Sequence, residues 1–124
     1  MYIFSLNLVA VKTERMKIII EAKKDVFELR DTIEQHLISE DSRTWELEKY
    51  ITTASNTVRP VFTHKSNQYN KNAGVKFYIN DDDAIVVHLH YATKKAFRIE
   101  YVGMVITMLG RTFSEEIDSI TVIE

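Results

Sequence analysis

The sequence contains few of the residues that build covalently held or metal-held scaffolds: its 124 residues include no cysteine, one proline and three glycines. The absence of cysteine excludes disulfide frameworks, thiolate zinc sites, iron–sulfur clusters and cysteine nucleophiles. The three glycines are too widely spaced for a phosphate-binding loop, and no nucleophile elbow or metalloprotease helix motif occurs. No apolar run approaches the roughly 18 residues of a membrane span, and the amino terminus does not resemble a signal peptide. We therefore expect one cytoplasmic domain over residues 1–124, without a cofactor.

The amino-terminal third shows a strand pattern followed by a helix pattern. Residues 2–11 and 16–22 alternate apolar and polar positions, which predicts two strands paired as a hairpin. A helix is expected to begin at Asp25, because Asp25 and Glu28 can form a reciprocal capping pair. One stripe of the helix is apolar: Val26, Leu29, Ile33 and Leu37.

The middle of the chain is more ambiguous. Ser42 can cap a second helix over residues 43–54, which would bury Leu47, Ile51 and Ala54. A strand that buries Trp45, Leu47 and Ile51 is the alternative. The polar stretch from Ser55 to Gly74 is expected to be a loop, with at most a short edge strand around Val61.

The carboxy-terminal half predicts a three-stranded antiparallel meander. Its strands alternate from Val75 to Ile79, from Ile85 to Tyr91 and from Phe97 to Tyr101, and polar turns separate them. A helical period begins at Val102, and a short strand is expected over 117–123. The predicted fold is thus α+β, with a single antiparallel sheet (the amino-terminal hairpin plus this meander) packed against two to three helices. Its core is expected to contain Leu29, Ile33, Phe77, Val87, Leu89 and Ile99.

Two histidines, His88 and His90, form the sharpest enzymatic candidate. Residues two apart on a strand point the same way, so both imidazoles can face one metal ion or one proton. A third ligand or an orienting carboxylate would have to come from elsewhere in the chain. We interpret the pair as part of the solvated face of an amphipathic strand, with a small histidine- or metal-dependent enzyme as the alternative.

Charge is unevenly distributed along a chain whose net charge is only −2. Residues 25–48 carry eight acidic residues and two arginines, and the predicted helix presents Asp25, Glu28, Asp31 and Glu34. An acidic surface of this kind can steer the approach of a basic protein partner. The pattern is also typical of a solvated helix with acids near its amino end.

The next segment, residues 49–80, carries five basic residues and no acid. Its candidate nucleic-acid-binding residues are Arg59, Lys65, Tyr69, Lys71 and Lys76. Cations could follow a phosphate backbone there while Tyr69 stacks on a base. The nearly balanced overall charge argues against a dedicated nucleic-acid binder.

These observations favour a small non-enzymatic protein-binding module, an inhibitor or immunity-type protein that masks the surface of a partner. A nucleic-acid-binding module using the basic segment 59–76 is the first alternative. We expect no membrane partner, and the pattern does not define an oligomeric state.

Overall fold

The computed structural model describes residues 17–39, 42–90 and 95–123. These residues form six strands in one antiparallel sheet and two helices. In chain order the elements are β1 (Lys17–Ala22), α1 (Val26–Ile38), β2 (Trp45–Thr52), β3 (Val58–His64), β4 (Gly74–Ile79), β5 (Ile85–His90), α2 (Lys95–Phe113) and β6 (Ile117–Ile123). The strand order across the sheet is β2-β3-β4-β5-β1-β6.

One face of the sheet packs against both helices, and we call it the helical face. It carries Ile18 of β1, Phe77 of β4 and Val87 of β5, which are fully buried in one core with residues of α1 and α2. Because side chains alternate along a strand, the neighbouring residues of β1, β4 and β5 point to the other face, which we call the polar face. It carries Lys17, Lys76, Tyr78, His88 and His90.

Helix α1 follows its sequence pattern closely. The Asp25 carboxylate accepts hydrogen bonds from the backbone N–H groups of Phe27 and Glu28, at 2.9 and 3.1 Å, so the capping role predicted for the Asp25 side chain is confirmed. All four residues of the apolar stripe are buried: Val26, Leu29, Ile33 and Leu37. The buried stripe holds α1 against the sheet and turns Phe27, Glu28 and Asp31 outward.

The predicted helix over residues 43–54 is wrong, because this segment forms strand β2. Trp45 and Leu47 point to the helical face, and Trp45 packs edge-on against Tyr101 of α2 with ring centroids 5.5 Å apart. Ser42 does not cap a helix; its hydroxyl donates to the carbonyl of Trp45 at 3.0 Å. Pairing with β3 and burial of the indole outweigh the modest helical preference of the segment.

The predicted loop from Ser55 to Gly74 is also wrong in its first half. Residues Val58–His64 form a full strand, β3, which pairs with β2 along its length. Its centre is buried at Val61, Phe62 and Thr63. The polar remainder, residues 65–73, is the loop that connects β3 to β4.

The third strand of the predicted meander does not exist. Strands β4 and β5 form the expected hairpin around the Asp81–Asp83 turn, but residues 97–101 belong to the first two turns of α2. Ile99 is therefore 53% exposed, whereas Tyr101 is fully buried, as spacing around a helix requires. The place beside β5 that the third strand would have taken is occupied by β1.

The predicted amino-terminal hairpin is wrong as well, because β1 pairs with β5 on one side and with β6 on the other. Its predicted partner, residues 2–11, lies outside the described residues. The predicted α+β sheet is thus corrected to six antiparallel strands with two helices in the described part of the chain. The closing strand β6 lies where the sequence places it.

Candidate functional site

A cleft of about 780 Å³ opens beside the amino-terminal half of α1. It lies where β3 and β4 separate, because these strands share a single paired position, Phe62 opposite Val75. Its principal side chains come from four places: α1 (Phe27, Arg30), the β2–β3 turn with the start of β3 (Thr53, Ser55, Thr57, Arg59), β4 (Lys76, Tyr78) and the β4–β5 hairpin (Asp81, Asp83, His88). The cleft therefore joins the helix to the polar face of the sheet.

An ion pair between Glu34 and Arg59 links α1 to β3 beside this cleft. Arg59 Nη1 lies 3.5 Å from Glu34 Oε2, and Glu34 as a residue is only 5% exposed. Burial raises the pKa of the Glu34 carboxyl above its usual value, and the charges of Arg59 and Arg30 act in the opposite direction. Neither paired atom forms a hydrogen bond. The attraction between the two charges therefore offsets only part of the free energy that is lost when both groups are removed from water.

The four acids predicted for one acidic surface divide into two groups. Glu28 and Asp31 are exposed on α1, and Asp25 is exposed as the cap of the same helix. Glu34 points inward to Arg59 and is not part of the exposed surface. The structure therefore leaves three carboxylates on the outer side of α1, which we call the acidic ridge (Asp25, Glu28 and Asp31).

Phe27 is the large apolar side chain of α1 that stands beside the acidic ridge. It is 54% exposed, lines the mouth of the cleft and lies next to Arg30, whose guanidinium carbon is 5.8 Å from the ring centroid. Sequence reasoning did not select Phe27 or Arg30 as binding residues. The sequence carried a signal for both, because the two positions fall off the apolar stripe of α1. Phe27 faces outward, whereas the Arg30 side chain is only 17% exposed.

The five basic and aromatic residues predicted to bind nucleic acid do not form one surface. Arg59 and Lys76 line the cleft, whereas Lys65 Nζ donates to the carbonyl of Ser42 at 3.0 Å. Lys71 lies in the β3–β4 loop with a positive φ of 61°. Tyr69 is buried against Phe97, with ring centroids 5.2 Å apart, and its hydroxyl donates to Glu100. The ring of Tyr69 is thus packed inside the protein rather than presented to a base.

His88 and His90 lie together on the polar face, as the spacing predicts. Their rings are stacked, with centroids 4.7 Å apart and planes inclined by 9°. Burial lowers the pKa of both imidazoles, and the charges of nearby lysines act in the same direction; burial, His88 and two lysines together lower the pKa of His90 to about 4. Among the described residues, no three His, Cys, Asp or Glu side chains are grouped closely enough to hold a metal ion.

Comparison with known proteins found no matching family model, no similar curated protein and no similar solved structure. Neither of the two described helices is long and apolar enough to cross a membrane. The inference of function therefore depends on the geometry of the cleft and of the surfaces around it.

Proposed function

We propose that this protein is a small protein-binding module of the inhibitor or immunity type, which masks part of a basic partner with α1 and the adjoining cleft. The observation that carries the proposal is the position of Phe27. Its ring is 54% exposed, lines the cleft and belongs to the same helix as the acidic ridge. Half-exposed aromatic rings at the centre of a polar rim are typical of residues that dominate the energy of an interface.

The cleft beside Phe27 has the composition expected of such an interface. Arg30, Arg59 and Tyr78 line it, and arginine and tyrosine are among the residue types enriched at energetic hot spots. Arg30 and Arg59 are each held near a carboxylate, Asp31 and Glu34 respectively, at 3.5 Å. Side chains restrained in this way lose less conformational freedom when a partner binds.

The acidic ridge supports a partner of positive charge. Exposed carboxylates contribute little to the stability of the free protein, but their summed field accelerates the encounter with an oppositely charged surface. Asp81 and Asp83 line the cleft from the β4–β5 turn, and the acidic ridge belongs to α1, the helix that contributes Phe27 and Arg30 to the cleft. A partner whose basic side chains surround an apolar contact would pair with these carboxylates and pack against Phe27 at the same time.

The first experiment captures partners from the native host on tagged wild-type protein and on two single variants. We expect one stoichiometric protein to bind the wild type and to be lost from Phe27→Ala. Ile99→Ala is the matched control, since Ile99 has a similar exposure of 53% but lies on α2. Equal loss from both variants, or recovery of nuclease-sensitive material in place of a protein, would contradict the proposal.

The second experiment reverses charge on the acidic ridge with the double variant Glu28→Lys and Asp31→Lys. We expect association with the captured partner to slow and its salt dependence to flatten, because exposed charges act mainly on the encounter rate. Glu34 is left unchanged, because reversal of a buried carboxylate beside Arg59 would damage the fold. Circular dichroism verifies that the variant is folded, and an unaltered association rate would refute the role of the ridge.

A further inference from the structure

Two lysine side chains and one histidine side chain lie side by side on the polar face. Lys17 of β1 is directly opposite His88 of β5, and His88 is directly opposite Lys76 of β4. Residues directly opposite each other on antiparallel strands project to the same face with Cβ atoms roughly 5 Å apart. The register therefore places the side chain of His88 between those of Lys17 and Lys76 in a row across the sheet, which we call the basic row (Lys17, His88 and Lys76).

The surroundings of the basic row hold the central imidazole in place. His88 stacks on His90, and His90 is itself opposite Gly74, where a Cβ would lie 2.9 Å from Val61 Cγ1. Lys76 Nζ leans along β4 and lies 5.7 Å from the centroid of the Tyr78 ring. Lys76 and His88 both line the cleft, so an ion that diffuses into the cleft reaches the row.

We propose that the basic row is a binding site for a small tetrahedral oxyanion of the sulfate or phosphate class. The ammonium groups of Lys17 and Lys76 supply charge and donors from two sides, and the imidazole of His88 supplies a directed N–H donor between them. Charge-assisted hydrogen bonds of this kind are stronger than neutral ones. Anion binding at this site requires no protein partner, so it can be tested independently of the protein-binding function.

The electrostatic environment of the two imidazoles agrees with a site that favours an anion. The pKa of His88 is lowered by burial and then by the charges of Lys76 and Lys17, and that of His90 by burial, by His88, and by Lys76 and Lys49. Glu48 of β2 brings a carboxylate to the Gly74 side of this group, with Oε1 3.5 Å from the point that a Cβ at Gly74 would occupy. This carboxylate repels an anion at the His90 end, so the proposed site lies at His88 between the two lysines.

An anion at the basic row would oppose these positive charges and raise the pKa of His88. Binding and protonation are then linked, so affinity should increase as the pH falls through the titration of the imidazoles. Each unit by which the anion raises a histidine pKa corresponds to about a tenfold gain in affinity when that histidine becomes protonated. The predicted direction is tighter binding at acidic pH.

The test uses sulfate as the probe, because sulfate keeps the same charge across this pH range. Sulfate is titrated into the full chain while the imidazole signals are followed by NMR, with sodium chloride at equal ionic strength as the reference. We expect a saturable shift of the His88 signals that sodium chloride does not produce, and a lower dissociation constant at pH 5 than at pH 7.5. A shift that sodium chloride reproduces, or an affinity that does not change with pH, would overturn the site.

Two variants identify the residues responsible. Lys76→Gln should weaken sulfate binding about tenfold or more, because it removes one of the two charges of the row. Lys24→Gln is the matched control, since Lys24 is an exposed lysine between β1 and α1. Amide spectra verify that both variants are folded. Equal weakening by the two substitutions would show a general effect of net charge and would refute a site at the basic row.

Discussion

Removal of Arg59 tests whether the buried Glu34 carboxylate depends on its ion pair. The substitution Arg59→Met keeps an unbranched side chain of moderate length and removes the charge 3.5 Å from Glu34 Oε2. Breaking a buried ion pair from one side costs about 3–5 kcal/mol, because the remaining charge stays desolvated. The Arg59 side chain is 21% exposed, so water screens part of the pair and we expect a loss of about 3 kcal/mol in the free energy of unfolding at pH 7.

The companion variant Glu34→Gln separates the charge from the packing. It removes the carboxylate together with the cost of burying it, so we expect a loss of only about 1 kcal/mol. The double variant should then be little worse than Glu34→Gln alone, because Arg59→Met no longer strands a buried charge. A coupling energy of about 3 kcal/mol follows from the double-mutant cycle.

The pH dependence of the Arg59→Met variant has a definite sign. Burial places the pKa of Glu34 in the folded protein above its ordinary value of 4.5, and loss of Arg59 raises it further. A carboxyl with a raised folded pKa contributes stability below its unfolded pKa and loses that contribution as the pH rises through the folded value. The free energy of unfolding that Arg59→Met loses relative to wild type should therefore be largest at pH 7 and should shrink as the pH falls towards 4.5.

The assay is urea denaturation of all four proteins at pH 7 and pH 5, followed by circular dichroism, with Arg111→Met as the control. Arg111 is exposed near the end of α2, so its replacement should change the free energy of unfolding by less than about 0.5 kcal/mol. The reasoning is refuted if the Arg59→Met deficit is the same at both pH values, or if the double variant is as unstable as the two single losses added together.

Substitutions at four further positions test the fold. Leu89→Ala should lower the free energy of unfolding by about 2–5 kcal/mol, because it leaves a cavity in the core. Ile99→Ala should have little effect, because Ile99 is exposed on α2. Similar losses for the two variants in urea melts would contradict the assignment of residues 97–101 to the helix. Gly74→Ala should destabilise the protein, since its Cβ would lie 2.9 Å from Val61 Cγ1, and an unchanged melting temperature would exclude this close approach. Asp25→Ala should cost about 1 kcal/mol by removal of the α1 cap, and replacement by Asn should retain most of that stability.

The elements that depend on short-range signals could be predicted from the sequence. Helix α1 has a capping side chain and a complete apolar stripe, and both act within a few residues of each other. The β4–β5 hairpin combines alternating strands with a polar turn, where the Asn80 side chain accepts from the backbone N–H groups of Asp82 and Ala84. The neighbouring positions of His88 and His90 follow from the two-residue repeat of a strand and were predicted for the same reason.

The candidate site was decided by long-range contacts. The pattern of residues 25–37 places Glu34 on the same helix as Glu28 and Asp31, but its burial depends on Arg59, which is 25 positions further along the chain. Tyr69 belongs to a polar stretch, and its ring is buried only because Phe97 and Tyr101 of α2 pack against it.

Tertiary contacts also determine whether a segment is helix or strand where its local conformational preference is weak. Residues 45–52 form a strand because β3 supplies backbone partners and the core accepts Trp45. Residues 97–101 are helical because β1 already occupies the free side of β5, while the helical spacing buries Tyr101. The sequence by itself determined the elements whose hydrogen bonds and apolar faces are local. The strand order, the cleft and the basic row arise only when distant segments satisfy one another's backbone groups and bury one another's side chains.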